Sequence, residues 1–192
     1  MSDYHHGDLR NALLAEAGSL LEEEGAEAVT LRGLARRVGV SHAAPGYHFA
    51  DRDLLLVELA AEGHEMLEAS MRRALAEADG ESDLVAIGMG YLRFALDHPN
   101  RFRLTFESAG LDPGRSERFM AASAATFRTL LTVAAGGPDA TPDEQLAGPW
   151  LRAWALVHGL ATLYLDDAVG PYRGQRERYL AAALAELRAL DR

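Results

Sequence analysis

A short basic segment holds the residues of this sequence that are best suited to bind phosphate. Residues 30–50 contain Arg32, Arg36 and Arg37 and no acidic residue, and Arg52 follows two positions later. The chain as a whole carries a formal net charge of −10. Because phosphate binding needs a cationic surface, a basic segment on an acidic protein can dock on DNA while the remainder resists non-specific binding. The segment therefore predicts contact with the backbone of a nucleic acid.

The same stretch offers only a weak match to a catalytic motif. Residues 39–43 come close to the G-x-S-x-G nucleophile elbow, but the last glycine is missing and no strand precedes Ser41. The sequence has no cysteine, no H-E-x-x-H, no phosphate loop, and no histidine with a glutamate three residues before it. We therefore expect no enzyme activity, no catalytic residue, no metal site and no cofactor.

Composition favours a cytoplasmic protein that does not enter a membrane. The sequence has no run of about 18 uncharged apolar residues, and its first residues, MSDYHHGDLR, lack the apolar core of a signal peptide. The absence of cysteine agrees with a reducing compartment.

Apolar residues recur at helical spacing along nearly the whole chain, and strand-like alternation does not occur. The pattern predicts an all-α fold with about nine helices. We expect the first helix to end at Gly25, Thr30 to cap a two-turn second helix that ends at Gly39, and Ser41 to cap a third. The other predicted helices are one that is capped by Asp51 and ends near 77, and those over 83–97, 101–109, 116–135, 141–169 and 172–190.

Pro45 and Gly46 both disfavour an α-helix, yet both fall inside the short predicted third helix. If Ser41 is the cap, Pro45 lies in the first turn, where proline costs little, whereas glycine costs about 1 kcal/mol relative to alanine. Gly46 and the small pair Ala43-Ala44 would let this face enter a groove closely. The second and third helices then form a helix-turn-helix. The alternative is a frayed helix whose breakers have no function.

The penultimate predicted helix, 141–169, is apolar on more than one side. Its apolar residues form one stripe and a second group beside it: Trp150, Trp154, Val157, Ala161 and Leu165, then Leu156, Leu160 and Leu163. A helix that is apolar most of the way round must be covered most of the way round. We therefore expect a homodimer through the last two helices. The alternative is burial of both sides within one chain.

Four short strings follow one another at unbroken spacing over residues 30–55: TLRGLARRVGVS, HAAP, YHF and RDLL. They resemble the helix-turn-helix domain of TetR-type transcriptional repressors. Residues 4–10, together with Trp154, His158 and Gly159, resemble the subgroup whose C-terminal domain is named for a tryptophan-histidine-glycine motif. The resemblance implies an all-helical homodimer with a three-helix DNA-binding domain over 7–67, its helix-turn-helix over 30–49, and a ligand-binding and dimerisation domain over 80–190.

Within that frame, the residues at the start of the second and fourth helices are expected at phosphates. Thr30 caps a helix N-terminus, which favours anions, and Arg32 and Arg52 add positive charge. Tyr47 and His48 are expected to hold the DNA backbone rather than to read sequence.

The residues at the start of the third helix are expected at base edges in the major groove. Ser41 and His42 come first, His42 as a donor to guanine, and Ala43 and Ala44 could meet a thymine methyl. Family members usually carry a tyrosine where Gly46 stands, and its hydroxyl commonly touches a phosphate. Tyr47 is the neighbouring substitute.

Aromatic residues of the C-terminal half supply enough surface to line a small-molecule cavity. The candidates are Tyr91, Phe94, Phe102, Phe106, Phe127, Trp154 and His158. The resemblance implies that an effector bound there shifts the two recognition helices and releases a double-stranded DNA operator. A competing interpretation is an all-helical small-molecule binding protein without useful DNA affinity, motivated by the acidic net charge and Gly46.

Overall fold

The computed structural model describes residues 6–106, 110–134 and 147–190, and these contain eight α-helices and no strand. The helices are α1 (His6–Glu24), α2 (Leu31–Val38), α3 (Arg52–Ala76), α4 (Asp83–Asp97), α5 (Pro99–Phe106), α6 (Glu117–Ala134), α7 (Ala147–Leu165) and α8 (Arg176–Leu190). Short 3₁₀ turns lie at Ala26–Ala28, Ala44–Tyr47, Pro113–Arg115 and Gly170–Tyr172. The all-α prediction is confirmed. The predicted helical residues 107–109, 135 and 141–146 lie outside the described residues.

The helix ends that depend on local chemistry agree with the prediction. The hydroxyl of Thr30 accepts a hydrogen bond from the Gly33 amide at 3.1 Å, which caps α2. Gly39 ends α2 in the left-handed conformation, with φ +78°. A carboxylate oxygen of Asp51 accepts a bond from the Leu54 amide at 2.8 Å and caps α3.

The predicted third helix is wrong as an α-helix. Only a 3₁₀ turn forms, at Ala44–Tyr47, and Ser41 contributes no side-chain cap to it. The amides of Ala44 and Gly46 bond to carbonyls three residues earlier. Pro45 has no N–H, so the α-helical bond back to the carbonyl of Ser41 cannot form. The breakers therefore limit this element to a single tight turn.

Two other predicted boundaries are wrong, because the backbone turns left-handed near them. α7 ends at Leu165 rather than at 169, and Asp167 just beyond it has φ +57°. α8 begins at Arg176 rather than at 172, and Gly174 before it has φ +67°. A left-handed residue does not continue a right-handed helix.

The chain forms two compact units, and the boundary along the sequence falls inside α3. The first unit contains the described residues up to 64 together with those of 98–123. Its core is built from the buried stripe of α1, with side chains of α2, α3 and α5 and with Phe49 from the segment between the 3₁₀ turn and α3: Leu13, Leu14, Ala17, Leu20, Leu21, Leu34, Phe49, Leu55, Leu59 and Leu104. The described residues of 98–123 thus join the helix-turn-helix region in space although they are remote from it in sequence.

A buried arginine fixes α5 within the first unit. Arg101 is 6% exposed, and its guanidinium pairs with Glu22 of α1 and Glu62 of α3 at 3.3 and 2.9 Å. Gly63 makes the approach of α5 possible, because a Cβ there would lie 2.0 Å from the hydroxyl of Thr105. The guanidinium of Arg101 on α5 therefore links this helix to α1 and α3 through the carboxylates of Glu22 and Glu62.

The second unit contains the described residues of 65–97 and those from 124 onward, and in it α4 packs on α7 and α8. Glycines allow close approach: a Cβ on Gly88 would meet Leu187 at 2.9 Å, and a Cβ on Gly90 would lie 2.8 Å from the main chain of α3 at Met71. The hydroxyl of Ser70 donates to the carbonyl of Gly90 at 2.8 Å. The backbones of α3 and α4 are therefore in direct contact here.

Candidate nucleic-acid interface

The N-terminus of α2 is open to a ligand on one side. Thr30 and Arg32 are exposed there, and the first amides of any helix lack intrahelical partners. Gly33 is suited to this cap because a Cβ on it would lie 2.8 Å from the Thr30 hydroxyl. The helix end therefore presents amide hydrogens and the positive end of its dipole to any anion that approaches.

An open depression of about 330 Å³ lies beside this helix end, lined by Thr30, Arg32, Gly33, Arg36 and His42. Arg32 and Arg36 are exposed, and neither makes an ion pair or hydrogen bond with the part of the chain that the structure describes. Their side chains project one turn apart on α2. Two uncompensated guanidinium groups beside a helix N-terminus suit phosphate oxygens. Arg36 was not among the predicted contacts, although its spacing of four from Arg32 could have indicated it.

Arg37, the next residue, is compensated by acidic side chains of α1. It donates a short hydrogen bond to Glu16, and Glu23 and Glu24 lie 3.5 and 3.9 Å from its guanidinium. The hydrogen bond to Glu16 raises the pKa of Arg37. The basic segment therefore offers two different kinds of arginine, and only Arg32 and Arg36 keep their charge uncompensated.

The predicted base-reading residues lie on an exposed surface. Ser41, His42 and Ala43 are exposed, and Gly46 is exposed on the 3₁₀ turn that follows. Tyr47 is 85% exposed. The other two residues predicted to contact DNA at this surface, Ala44 and His48, are half-buried.

Two buried residues anchor this surface from below. Pro45 is buried, and Phe49 is 1% exposed, as expected for a core residue rather than a contact. The guanidinium of Arg10 lies 5.3 Å from the centre of the Phe49 ring. The turn thus has a buried side that fixes it and an exposed side of small and polar residues.

Arg52 has a different environment from the one expected of a phosphate contact. Its Nε donates to the carbonyl of Val29 at 2.8 Å, and its Nη2 donates to the carbonyl of Ala26 at 2.7 Å. A carboxylate oxygen of Glu27 lies 3.9 Å away. The guanidinium therefore spans the turn that leads into α2.

Four of the predicted effector-binding residues meet in the second unit. The hydroxyl of Tyr91 lies 2.8 Å from Nδ1 of His158. The Trp154 ring is 5.7 Å from the His158 ring and 5.9 Å from the Phe127 ring. Burial raises the pKa of Tyr91, so this hydroxyl stays protonated. Phe94 is also buried in this unit.

The apolar cavity next to this cluster is very small. It measures about 20 Å³ and is lined by Leu84, Ile87, Gly88, Leu130, Ala153, Trp154, Val157 and Leu187. A water molecule needs about 10–15 Å³ by the same kind of measure. This cavity therefore has room for little more than one water molecule.

The other two predicted effector-binding residues, Phe102 and Phe106, belong to the first unit. Their rings are 5.0 Å apart, and Phe106 lies 5.7 Å from the ring of His64. His64 is 2% exposed, and burial lowers its pKa to about 4. The position of His64 on the apolar stripe of α3 is the sequence signal that could have indicated a buried histidine.

The described residues hold neither a metal-binding group of side chains nor a membrane-spanning helix. No group of three His, Asp or Glu side chains among them could hold a metal ion. None of the described helices has the length and hydropathy needed to span a bilayer.

Two family models match the chain. Residues 13–59 match the model for bacterial regulatory proteins of the tetR family, and residues 84–187 match that for the tetracyclin repressor-like C-terminal domain. A solved structure of a protein with unknown function from Rhodococcus sp. RHA1 is 33% identical, with a TM-score of 0.74 over 97% of each chain.

Two more distant proteins are similar along most of their length. The TetR family transcriptional regulator PfmR from Thermus thermophilus is 22% identical, with a TM-score of 0.62 over 93% of this chain and 96% of that one. It shares the fold. An uncharacterised HTH-type transcriptional regulator from Haemophilus influenzae is 24% identical over 186 residues, which is 94% of this chain and 87% of the relative.

Proposed function

Since this chain belongs to the TetR family of bacterial regulatory proteins, we propose that it is a repressor that binds operator DNA and releases it when a small molecule binds. The family consists of DNA-binding transcriptional regulators rather than enzymes. We propose three things beyond family membership: that the protein represses transcription, that an effector releases it from DNA, and which residues make the contacts.

One observation carries the DNA contact. Arg32 and Arg36 are exposed beside the capped N-terminus of α2, and no described residue compensates their charge. In this proposal both guanidiniums and the Thr30 end of the helix bind phosphates on one strand. Each neutralised phosphate adds about 0.9 to the slope of log affinity against log salt.

Base reading is assigned to the exposed surface that follows α2. Ser41, His42 and Ala43 are exposed, with Gly46 and Tyr47 beside them. His42 donates to an acceptor on guanine, and Ala43 meets a thymine methyl. Tyr47 and His48 hold the backbone next to them.

A homodimer through α7 and α8 presents two such surfaces to one operator. Val157 and Ala161 of α7 are buried within the chain, whereas Leu151 and Leu163 of the same helix are 52% and 50% exposed. A second copy that covers these leucines removes them from water. The two half-sites then lie about one turn of DNA, roughly 34–36 Å, apart.

The effector site is assigned to the aromatic cluster of the second unit, made of Tyr91, Phe127, Trp154 and His158. The cluster combines an apolar surface with a few polar groups, among them the Tyr91–His158 pair, a composition typical of small-molecule sites. The effector would separate α4 from α7 and so change the spacing of the recognition surfaces.

The DNA contact is tested by fluorescence anisotropy with a duplex from the region upstream of the protein's own gene, over a series of salt concentrations. Wild-type protein should bind it more tightly than a random duplex of equal length. Arg32→Ala and Arg36→Ala should each lower the salt slope by about 0.9. Arg72→Ala is the matched control: Arg72 is an exposed arginine of the second unit, paired with Glu68 at 2.7 Å, and its loss should leave the slope unchanged.

Base reading needs a separate test, because phosphate contacts carry no sequence preference. Selection of bound duplexes from a random pool should give a symmetric site with wild-type protein. His42→Ala should relax the preference at one base pair per half-site. A wild-type protein that selects no sequence would contradict the proposal and favour the small-molecule binding protein without DNA affinity.

A further inference from the structure

The bonds of Arg52 join the first residue of α3 to the segment between α1 and α2. Its Nε and Nη2 donate to the carbonyls of Val29 and Ala26 at 2.8 and 2.7 Å. The side chain is 34% exposed. Nε and a terminal nitrogen lie on the same edge of the planar guanidinium, so the two bonds act together as a fork. Arginine can make this bridge, whereas a lysine ammonium offers no fixed pair of donors.

Few backbone hydrogen bonds hold the bridged segment, although Val29 is buried in the core and Ala26 and Ala28 pack against it. Gly25, the residue that follows α1, has φ +84°. The turn at Ala26–Ala28 is closed by a 3.3 Å bond from the Ala28 amide to Gly25 and a 3.1 Å bond from the Val29 amide to Ala26. Arg52 adds two charge-assisted bonds to the same short stretch.

The bridged carbonyls lie directly before the cap of α2. Val29 is buried and precedes Thr30, whose hydroxyl and carbonyl accept from Gly33 and Leu34 at 3.1 and 3.0 Å. A shift of the Val29 carbonyl therefore moves the cap and, with it, the first turn of α2 that carries Arg32. The position of the phosphate-binding helix end depends on this bridge.

We propose that Arg52 is a positioning residue, which fixes the turn at Ala26–Ala28 and so aims the N-terminus of α2 at the DNA, and that it does not itself bind phosphate. This inference rests on the proposed function. It separates the arginines of the segment by role: Arg32 and Arg36 neutralise phosphate, and Arg52 holds the chain that presents them. Two of the five N–H donors of Arg52 are engaged by the carbonyls of Val29 and Ala26, and a carboxylate oxygen of Glu27 lies 3.9 Å from the guanidinium, so part of its charge is already offset.

The test compares Arg52→Ala and Arg52→Lys with Arg32→Ala in anisotropy titrations over the same salt series, with Arg72→Ala as the control for lost charge. Both Arg52 variants should weaken DNA binding about tenfold, or about 1.4 kcal/mol, at every salt concentration and with an unchanged slope. Arg32→Ala should lower the slope by about 0.9. A lysine at position 52 that keeps wild-type affinity, or an alanine there that lowers the slope as Arg32→Ala does, would overturn the inference.

Hydrogen exchange of the free protein provides a measurement that does not depend on DNA. In both Arg52 variants the amides of residues 26–31 should exchange faster than in wild type, while those of α8 should not change. Unchanged exchange at 26–31 also overturns the inference. If wild-type protein binds no duplex, the proposed function fails, and faster exchange at 26–31 would still support the bridge.

Discussion

Replacing Gly46 by tyrosine should tighten DNA binding. Gly46 is exposed, no atom lies within 4 Å of a Cβ built on it, and its φ is not in the left-handed region. The folded chain therefore accepts a side chain there without strain. The resemblance places a phosphate-binding tyrosine hydroxyl at this position in most family members.

The size of the effect follows from two opposing contributions. A hydrogen bond to a charged phosphate contributes about 1.5–3 kcal/mol, and ordering one side chain at an interface costs about 0.5–1.5 kcal/mol. The net gain is roughly 1 kcal/mol, which corresponds to about a fivefold lower Kd. Tyr47 keeps its own place, since it is 85% exposed and points away from the buried side of the turn.

Anisotropy titration of wild type, Gly46→Tyr and Gly46→Phe measures this effect. Phenylalanine supplies the same ring without the hydroxyl, so the difference between the two variants reports the phosphate bond alone. Thermal denaturation should show that both variants are at least as stable as wild type. The reasoning is refuted if Gly46→Tyr binds no more tightly than Gly46→Phe, or if either variant unfolds at a lower temperature than wild type.

Three further predictions concern packing, pH and assembly. Gly90→Ala should lower the free energy of unfolding by about 2 kcal/mol, because its Cβ would meet the main chain of α3 at 2.8 Å. Gly159→Ala should not lower it, because no atom lies within 4 Å of a Cβ built there. Urea denaturation measures both variants. Burial lowers the pKa of His64 to about 4. Between pH 6.5 and pH 4, His64 therefore binds a proton in the unfolded chain but not in the folded one. Stability should therefore fall between pH 6.5 and 4, by up to about 3 kcal/mol, and a denaturation series on His64→Leu should show a flatter profile. Leu163→Glu should convert the proposed dimer to monomer in analytical ultracentrifugation at micromolar concentration. Met120→Glu, at an apolar position of the first unit that is 55% exposed, should leave the proposed dimer intact.

The features that sequence analysis predicted correctly depend on neighbouring residues. Thr30, Gly39 and Asp51 end or begin helices through bonds that span three or four positions, or through a single backbone angle. The third helix was wrong for an equally local reason. Proline costs little in the first turn of an α-helix, but the missing N–H of Pro45 removes the α-helical bond to the carbonyl of Ser41.

The features that were missed depend on contacts between distant segments. Nothing near Arg52 in sequence indicates that its donors reach the carbonyls of residues 26 and 29. Phe102 and Phe106 lie near the aromatic residues of the C-terminal half in sequence, whereas the ion pairs of Arg101 connect their helix to α1 and α3. Such pairings are fixed by tertiary packing, and helical periodicity carries no information about them.

At the proposed effector site, the apolar cavity of about 20 Å³ would limit how sensitive the protein is to an effector. An occupant larger than water must pay for opening the core, and its apparent dissociation constant equals the intrinsic one divided by the fraction of molecules already open. Each increment of about 1.4 kcal/mol in opening cost raises the concentration needed for a response tenfold. A truncation such as Leu187→Ala, which enlarges the space next to Gly88, would lower that threshold without altering any polar contact. The dose at which a cell responds could thus be retuned by the volume of one aliphatic side chain.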